Sequence, residues 1–250
     1  MNNTYYMNIV IHKKIYNLKD FNHPGGREIL ELCKNEPDCS ALFESYHAFC
    51  DMEKIHNIMK KYEIGISNEE SMFLFKKDGF YNTCKERVNK IVNNPKADIE
   101  WLFTIIFSFG LFIFCQYHIL FSKFGLLKII LSICSGISLI SLGYNILHDG
   151  SHYAISKYPI LNRNLSLLIH SLLLINHTLW SYHHCIRHHQ YTGNIKYDPD
   201  MINSSPFFRK SNKLKPKKLE FLKDYIGLKL IFFNIIFPGT MFGQSIIYHI

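Results

Sequence analysis

Two long apolar blocks decide the fold of this chain, WLFTIIFSFGLFIFCQYHILF (residues 101–121) and GLLKIILSICSGISLISLGYNIL (residues 125–147). Each block reaches the roughly 20 residues that an α-helix needs to cross the hydrocarbon core of a bilayer. Because only Ser122, Lys123 and Phe124 separate the blocks, they predict a tight transmembrane hairpin. Two buried helices of a soluble protein are the alternative, and the length of both segments disfavours it.

The overall composition agrees with a protein that faces a membrane. Among its 250 residues, 28 are Lys or Arg and 20 are Asp or Glu, which gives a formal net charge of +8. A basic excess suits a membrane surface or nucleic acid, and the apolar blocks favour the membrane, so no nucleic-acid partner is expected. Seven cysteines without a C-x-x-C pair predict reduced thiols in a cytosol-facing protein. The polar N-terminus predicts no signal peptide.

Two histidine clusters follow the hairpin, HDGSH (residues 148–152) and HCIRHH (residues 184–189). Residues four apart share one face of a helix, so His148 should meet His152, and His184 should meet His188, with His189 one step further round. Imidazole nitrogens are good ligands for iron and zinc. One H-x-x-x-H pattern also occurs by chance, but two on the same side of a membrane hairpin predict a transition-metal centre.

The remaining C-terminal segments predict the topology. Residues 161–180 carry too many polar groups for a full crossing and suit an interfacial or re-entrant segment. Residues 209–224 hold seven basic side chains, which places this loop in the cytosol by the positive-inside tendency. Residues 225–250 are apolar again and predict the start of a third crossing. The N-terminal region and both histidine clusters should therefore face the cytosol.

The N-terminal region predicts a small haem-binding domain. Residues 7–18 suggest two short strands, and residues 27–33, 39–49 and 51–65 suggest three helices. His23 and His47 each lie beside a helix, and histidine is a good axial ligand for haem iron. Gly25 and Gly26 would let the backbone turn sharply and approach a flat ring. H-P-G-G alone also fits an ordinary turn, and the paired histidines favour the haem.

These motifs resemble two known families. The stretches DFNHPGGREIL, DCSALFESYH and YEIG, in this order, resemble cytochrome b5, whose axial ligands would be His23 and His47 of a haem b. HDGSH and HCIRHHQYTGNIKYDPD are similar to the first two histidine boxes of membrane fatty acid desaturases, so the chain resembles a front-end desaturase. The resemblance implies an α+β cytochrome b5-like domain at residues 1–66, a linker with an amphipathic helix at 67–100 and an all-α membrane domain at 101–250.

The resemblance also implies a chemistry. Two non-haem iron ions would use O2 to introduce a double bond into a fatty acyl substrate, with electrons from an NADH-dependent cytochrome b5 reductase passing through the haem. The chain would be a multi-pass protein of an endoplasmic-reticulum-type bilayer. The implied iron ligands are His148, His152, His184, His188 and His189. Side chains that would orient these imidazoles are Asp149, His183, Asp198 and Asp200.

Other polar residues near these motifs receive structural interpretations. His170 and His177 suit a polar role at the membrane edge, and His12 and His56 are expected at the surface. Arg187 lies between two implied ligands, so it should point to solvent or pair with a carboxylate such as Asp198.

One motif of the resembled family has no match in this sequence. Its third box, Q-x-x-H-H or H-x-x-H-H, is not found, and the only histidine after His189 is His249. The chain is therefore expected to be the front part of a longer or split gene, or a degenerate copy. The alternatives are a membrane-anchored electron carrier with a desaturase remnant, a zinc-dependent membrane hydrolase that uses HDGSH, and a basic lipid-binding protein without catalysis. Hydroxylation of the acyl chain also remains open.

Overall fold

The fold comprises two compact units. A computed structural model describes residues 7–123, 125–173 and 175–202, together with 212, 213 and 215. The first unit extends to Lys96 and includes Ser156–Ile160, and the second contains Ala97–Ile155 and the described residues from 161 onward. The predicted crossing at residues 225–250, His249 and most of the predicted basic loop at 209–224 lie outside the described residues.

The first unit is built on a three-stranded antiparallel sheet in the order β1-β2-β3, formed by Asn8–Ile11, Lys14–Asn17 and Glu63–Ile66. The predicted hairpin is confirmed, and His12 and Lys13 at its turn adopt positive φ angles of 51° and 64°. The third strand was missed, because residues 63–66 follow a helical pattern directly and form a strand only by pairing with β2. The interpretation of residues 51–65 as one helix was therefore wrong at its end.

Three short helices cover this sheet and bracket the histidines of interest. They are α1 (Arg27–Cys33), α2 (Ser40–Tyr46) and α3 (Met52–Met59), close to their predicted positions. Asp51 caps α3 by accepting a hydrogen bond from the Lys54 backbone N–H. Apolar side chains from the helices and strands form a core that includes Ile9, Ile11, Tyr16, Leu30, Leu42, Phe43 and Met59.

The predicted amphipathic helix is present as α4 (Phe80–Ile91). It belongs to the first compact unit, which extends to Lys96. The stretch that the sequence suggests as a linker therefore contains a helix that packs within this unit.

The second unit begins with the predicted hairpin, now seen as α5 (Ile99–Phe121) and α6 (Gly125–Leu142). Both helical segments are long and apolar enough to cross a membrane, the second continuing without a break to Ser151. Hydrogen bonds join the two helices at Ser108–Ser141, 2.9 Å between hydroxyl oxygens, and from Gln116 to Ser135, 2.7 Å. Many other side chains along both helices are apolar and exposed, as in a lipid-facing pair.

A π-helical segment interrupts the α-helix at each histidine cluster. The first, Gly143–His148, follows α6 and leads into α7 (Asp149–Ser151). The second, Ser181–His188, lies between α9 (His177–Trp180) and α10 (His189–Tyr191). Segments of this rare type are frequent at functional sites, which marks both clusters independently of their composition.

Helix α8 (Pro159–Leu172) holds the first cluster in place through a close approach of two backbones. A Cβ atom at Gly150 would lie 2.8 Å from the carbonyl oxygen of Asn162 and 3.0 Å from Cβ of Ser166. The Ser166 hydroxyl also donates to the carbonyl of Leu147 over 2.8 Å. The small α11 (Pro199–Ile202) completes the described part of this unit.

Candidate metal and haem sites

Four histidines converge in the second unit. The ligand-capable nitrogen atoms of His148, His152, His184 and His189 all lie within 4.8 Å of one another. Their ring centres are 4.7 Å apart for His148–His152 and 5.0 Å apart for His148–His184. Because metal–imidazole bonds measure about 2 Å, nitrogens at this spacing can share one ion, and the residues fit the metal that the desaturase motifs imply.

The second π-helical segment changes which histidines meet. His184 and His189 are five residues apart, with ring centres 4.4 Å apart and Nε2 atoms 3.0 Å apart. His184 and His188, four apart, have ring centres 5.8 Å apart. Hydrogen bonds in a π-helix span five residues, which brings the ring five positions on to the same face. The spacing rule of the α-helix therefore selected the wrong partner for His184.

His188 instead lies with two carboxylates in a second, adjacent group. Its Nδ1 atom is 3.0 Å from Oδ1 of Asp198 and 3.5 Å from Oδ2 of Asp200, and Asp200 also contacts Nε2 of His183 at 2.8 Å. Asp198 is 1% exposed and accepts a backbone hydrogen bond from Gly193. Carboxylates in such positions fix the orientation of an imidazole and raise its basicity, leaving Nε2 of His188 for a metal.

Two tryptophans support the four-histidine group, Trp180 by direct contact and Trp101 through Asp149, and sequence reasoning missed both. Trp101 donates from Nε1 to Oδ2 of Asp149 over 3.3 Å, and Oδ1 of Asp149 lies 3.1 Å from Nδ1 of His148. The Trp180 ring stacks on His184 with ring centres 4.4 Å apart. Trp180 lies four residues before His184 and could have been noticed, whereas Trp101 lies 48 positions before Asp149 and carries no local signal.

Arg187 lies beside the same motif among aromatic rings. Its Nε atom donates to the carbonyl of Tyr197 over 3.1 Å. The guanidinium carbon lies 5.3 to 5.9 Å from the ring centres of Tyr182, Tyr191 and Tyr197. Cation–π contacts therefore help to accommodate its positive charge near the histidines.

Electrostatics keep the central imidazoles neutral. Burial, reinforced by neighbouring histidines, lowers the pKa of His152 to about 4 and that of His184 to about 2. Burial and the neighbouring His188 also lower the pKa of His189. A neutral imidazole offers a nitrogen lone pair, so the group is suited to bind a cation at neutral pH.

His170 is buried rather than placed at a polar edge. It is 1% exposed, and its Nδ1–H donates to the carbonyl of Ser166 over 2.8 Å. Its Nε2 atom has no hydrogen-bond partner among the described residues, and burial lowers its pKa to about 4. The His170 ring lies 4.8 Å from His177 and outside both metal-capable groups.

In the first unit, His23 and His47 face each other with ring centres 6.1 Å apart. This gap accommodates one metal ion between two nitrogens at bonds of about 2 Å each. The Nδ1–H of His47 donates to the carbonyl of Phe43 over 2.8 Å, which leaves the Nε2 lone pair for iron. Nδ1 of His23 accepts from the Gly25 backbone over 3.0 Å, so ligation through Nε2 requires its proton to move to Nδ1.

Each glycine of the HPGG turn meets a different requirement. A Cβ atom at Gly25 would lie 2.8 Å from Cδ1 of Ile29 and 3.0 Å from Cε1 of His23. Gly26 has a φ of 98°, a conformation that other residues rarely adopt. Burial lowers the pKa of both histidines, that of His23 to about 4, so both are neutral and able to ligate. The site fits the haem that the cytochrome b5-like motifs imply.

His12 is half-buried rather than a plain surface residue. Its Nε2 atom lies 2.9 Å from Oε1 of Glu44, and its ring meets Phe43 and Phe75 edge-on. His56 is exposed, as expected.

Comparison with known proteins finds the two families that the motifs resemble. Residues 2–67 match the cytochrome b5-like heme/steroid binding domain, and residues 125–248 match the fatty acid desaturase family. An acyl-lipid (8-3)-desaturase B of Dictyostelium discoideum is 32% identical over 80% of this chain and 44% of its own length. The Delta(5) fatty acid desaturase A of the same organism is 34% identical over 75% of this chain and 41% of its own length. An acyl-lipid (8-3)-desaturase of Mortierella alpina is 30% identical over 86% of this chain and 49% of its own length. No solved structure matches the chain.

The chain spans less than half the length of these relatives. Its two matched regions follow each other in the order that the motifs predicted. Residues 125–248 therefore belong to the fatty acid desaturase family, and a cytochrome b5-like domain precedes them in the chain.

Proposed function

We propose that this chain is part of a membrane acyl-lipid desaturase that introduces a double bond into a fatty acyl chain. The observation that carries the proposal is the convergence of His148, His152, His184 and His189 directly after an apolar helical hairpin. The desaturase names of the relatives agree with it.

The first unit would deliver electrons. His23 and His47 would hold a haem b iron from both sides, and a haem with both axial positions occupied transfers single electrons and has no open position for O2. The hydrogen bond from His47 to the Phe43 carbonyl keeps one ligand oriented. An NADH-dependent cytochrome b5 reductase would supply the electrons to this haem.

The second unit would hold two iron ions. The four-histidine group would bind one, and His188, backed by Asp198 and Asp200, would contribute to the second. Bound iron supplies the activation of O2 that the removal of hydrogen from an unactivated CH2–CH2 pair requires. One O2, two electrons and two protons would be consumed, the acyl chain would lose two hydrogens, and two water molecules would form.

The protein's own side chains would prepare this site. Asp149 orients His148 through Nδ1 and is itself held by Trp101. Trp180 covers one face of His184 and donates to the hydroxyl of Ser151 over 3.2 Å, which ties the second cluster to the first. These contacts fix the donor atoms before a metal arrives, and such preorganisation supports tight binding.

The membrane would supply the substrate. Helices α5 and α6 expose apolar side chains such as Phe107 and Ile137 along their length, as expected of a hairpin in an endoplasmic-reticulum-type bilayer. With the first unit in the cytosol, a hairpin that crosses twice returns His148 to the cytosolic side. The acyl chain would then reach the metal group from the lipid phase.

Metal and haem analysis of the purified chain tests the proposal. We expect a haem absorbance and, in addition, non-haem iron bound to the purified chain. Haem without additional non-haem iron would instead indicate an electron carrier, and zinc without haem would indicate a hydrolase. Either result would overturn the desaturase assignment.

A further inference from the structure

Helix α4 reaches the haem site from outside the region that matches cytochrome b5. The match ends at residue 67, and α4 begins at Phe80. Lys85 on this helix places Nζ 2.9 Å from Oε2 of Glu44, and Asn89 donates to the carbonyl of Ala48 over 3.2 Å. Glu44 lies three residues before His47 and Ala48 follows it directly, so α4 holds the chain on both sides of one axial ligand.

The ion pair between Lys85 and Glu44 is largely withdrawn from water. The two side chains are 15% and 11% exposed, respectively. The second carboxylate oxygen of Glu44 contacts Nε2 of His12 at 2.9 Å, so groups from two other elements fix the carboxylate. A partly buried pair is screened by salt much less than a surface pair, and its charges act over longer distances.

Both charges also act on the axial ligand. Glu44 lies about one helical turn before His47, so its negative charge favours positive charge at the haem site, and the positive charge of Lys85, 2.9 Å from Glu44, opposes it. Ferric haem carries one positive charge more than ferrous haem. A fixed cation nearby therefore raises the reduction potential, and a fixed anion lowers it.

We propose that α4 is a functional part of the haem site and that Lys85 is a positioning residue that, with Glu44, sets the reduction potential of the haem. The inference rests on the haem assignment proposed above. It extends that assignment by naming the residues that set the reduction potential of the electron-delivering haem. The stretch after residue 67 would then influence electron transfer as well as connect the two matched regions.

The test measures haem midpoint potentials in the full-length purified chain. Lys85→Met should lower the potential, Glu44→Gln should raise it, and the double variant should return towards the wild-type value. Lys90→Met is the matched control, because Lys90 lies exposed on the same helix and its loss changes the net charge equally. Lys90→Met should leave the potential unchanged.

A second measurement addresses positioning. Lys85→Met and Asn89→Ala should each release haem to an excess of a haem-acceptor protein several-fold faster than wild type, and Lys85→Arg should restore the slow rate. If Lys85→Met does not fold, Lys85→Gln makes the same change in charge with a polar side chain.

The possible failures are distinguishable. Potentials that stay unchanged in haem-loaded Lys85 and Glu44 variants would overturn the inference and leave haem binding intact. A wild-type chain that shows no haem absorbance would instead overturn the haem assignment itself. A shift of the same size in Lys90→Met would show a general charge effect and also overturn the inference.

Discussion

Gly25 lies so close to the His23 ring that any side chain at this position would displace it. The missing Cβ would sit 2.8 Å from Ile29 and 3.0 Å from His23. We expect Gly25→Ala to move the His23 ring and weaken haem binding by about tenfold or more, which corresponds to at least ~1.4 kcal/mol. Haem titration of the purified chain, followed by absorbance, measures this change.

Gly65→Ala is the control for that substitution. Gly65 belongs to the same unit and has nothing within 4 Å of the position that a Cβ would occupy. The Gly65→Ala variant should therefore bind haem with the affinity of the wild type. Equal haem affinity in Gly25→Ala and wild type would contradict the close approach.

His170 makes stability depend on pH. Its pKa is about 4 in the folded chain because burial penalises the charged ring, against the ordinary 6.5 in the unfolded chain. Between these values the unfolded state binds more protons, so the free energy of unfolding falls as the pH falls through this window. These two pKa values correspond to a loss of about 2 kcal/mol in the free energy of unfolding between pH 7.5 and pH 5.

When the pH is lowered from 7.5 to 5, the melting temperature of His170→Leu should therefore fall less than that of wild type. Thermal unfolding in detergent measures the difference. His56→Leu, at an exposed position, serves as control and should keep the wild-type slope. An unchanged slope in His170→Leu would mean that this ring already ionises freely in the folded chain.

Individual residues show what the sequence can and cannot predict. The sequence could single out His23 and His47, whose rings face each other in the structure, because ligand type, flanking glycines and spacing are all local properties. The pairing of His184 with His189 could not be predicted, because it depends on a π-helical turn that no residue pattern indicates. Trp101 contacts Asp149, 48 positions away, only through tertiary packing.

At the scale of elements, the contact between α7 and α8 positions the first histidine cluster. A Cβ at Gly150 would meet the backbone carbonyl of Asn162 at 2.8 Å, and a backbone atom cannot yield as a flexible side chain can. We expect Gly150→Ala to destabilise the fold by about 1–3 kcal/mol and to lower the metal content. Thermal unfolding and elemental analysis of the purified chain provide both measurements.

Gly136→Ala is the matched control on α6. Nothing lies within 4 Å of a Cβ at Gly136, and alanine favours a helix, so stability should stay the same or rise slightly. Wild-type metal content in Gly150→Ala would show that the two helices can separate without cost to the site.

The second π-helical segment predicts unequal roles for two adjacent histidines. His189→Ala removes a donor from the four-histidine group, whereas His188→Ala leaves that group complete. Titration with Co²⁺, whose absorbance reports coordination, should therefore lose the four-nitrogen site in His189→Ala and keep it in His188→Ala. The opposite order would restore the α-helical pairing of His184 with His188.

The elements themselves were largely predictable. The β1-β2 hairpin, α1 and the α5-α6 pair follow from local patterns of apolar residues, glycine and proline. Strand β3 was not predictable, because four residues with alternating exposure form a strand only when a partner 50 residues away is already in place.

For the whole molecule, the two compact units predict separable cofactors. The ligands of the haem site lie in the first unit, and the four-histidine group lies in the second. His47→Ala should abolish the haem absorbance and leave both membrane insertion and the non-haem iron content unchanged. Absorbance spectra, extraction of membranes at high pH and iron analysis check the three parts.

An unchanged haem absorbance in His47→Ala would refute the axial assignment. A loss of non-haem iron together with the haem would show that the two units depend on each other for folding. The sequence suggests a boundary near Trp101, where the composition changes sharply, but it places residues 67–100 in a linker, whereas the first unit extends to Lys96.

The π-helical segments restrict how the length of this protein can vary. Each accommodates one residue more per turn than its flanking α-helix would, so deleting a single residue from 143–148 or 181–188 would rewind the helix and rotate every later donor away from its ion. The stretch 153–158 between α7 and α8 is not helical, so a change in its length rewinds no helix. Natural gaps and insertions among relatives should therefore collect in that connection and spare both segments.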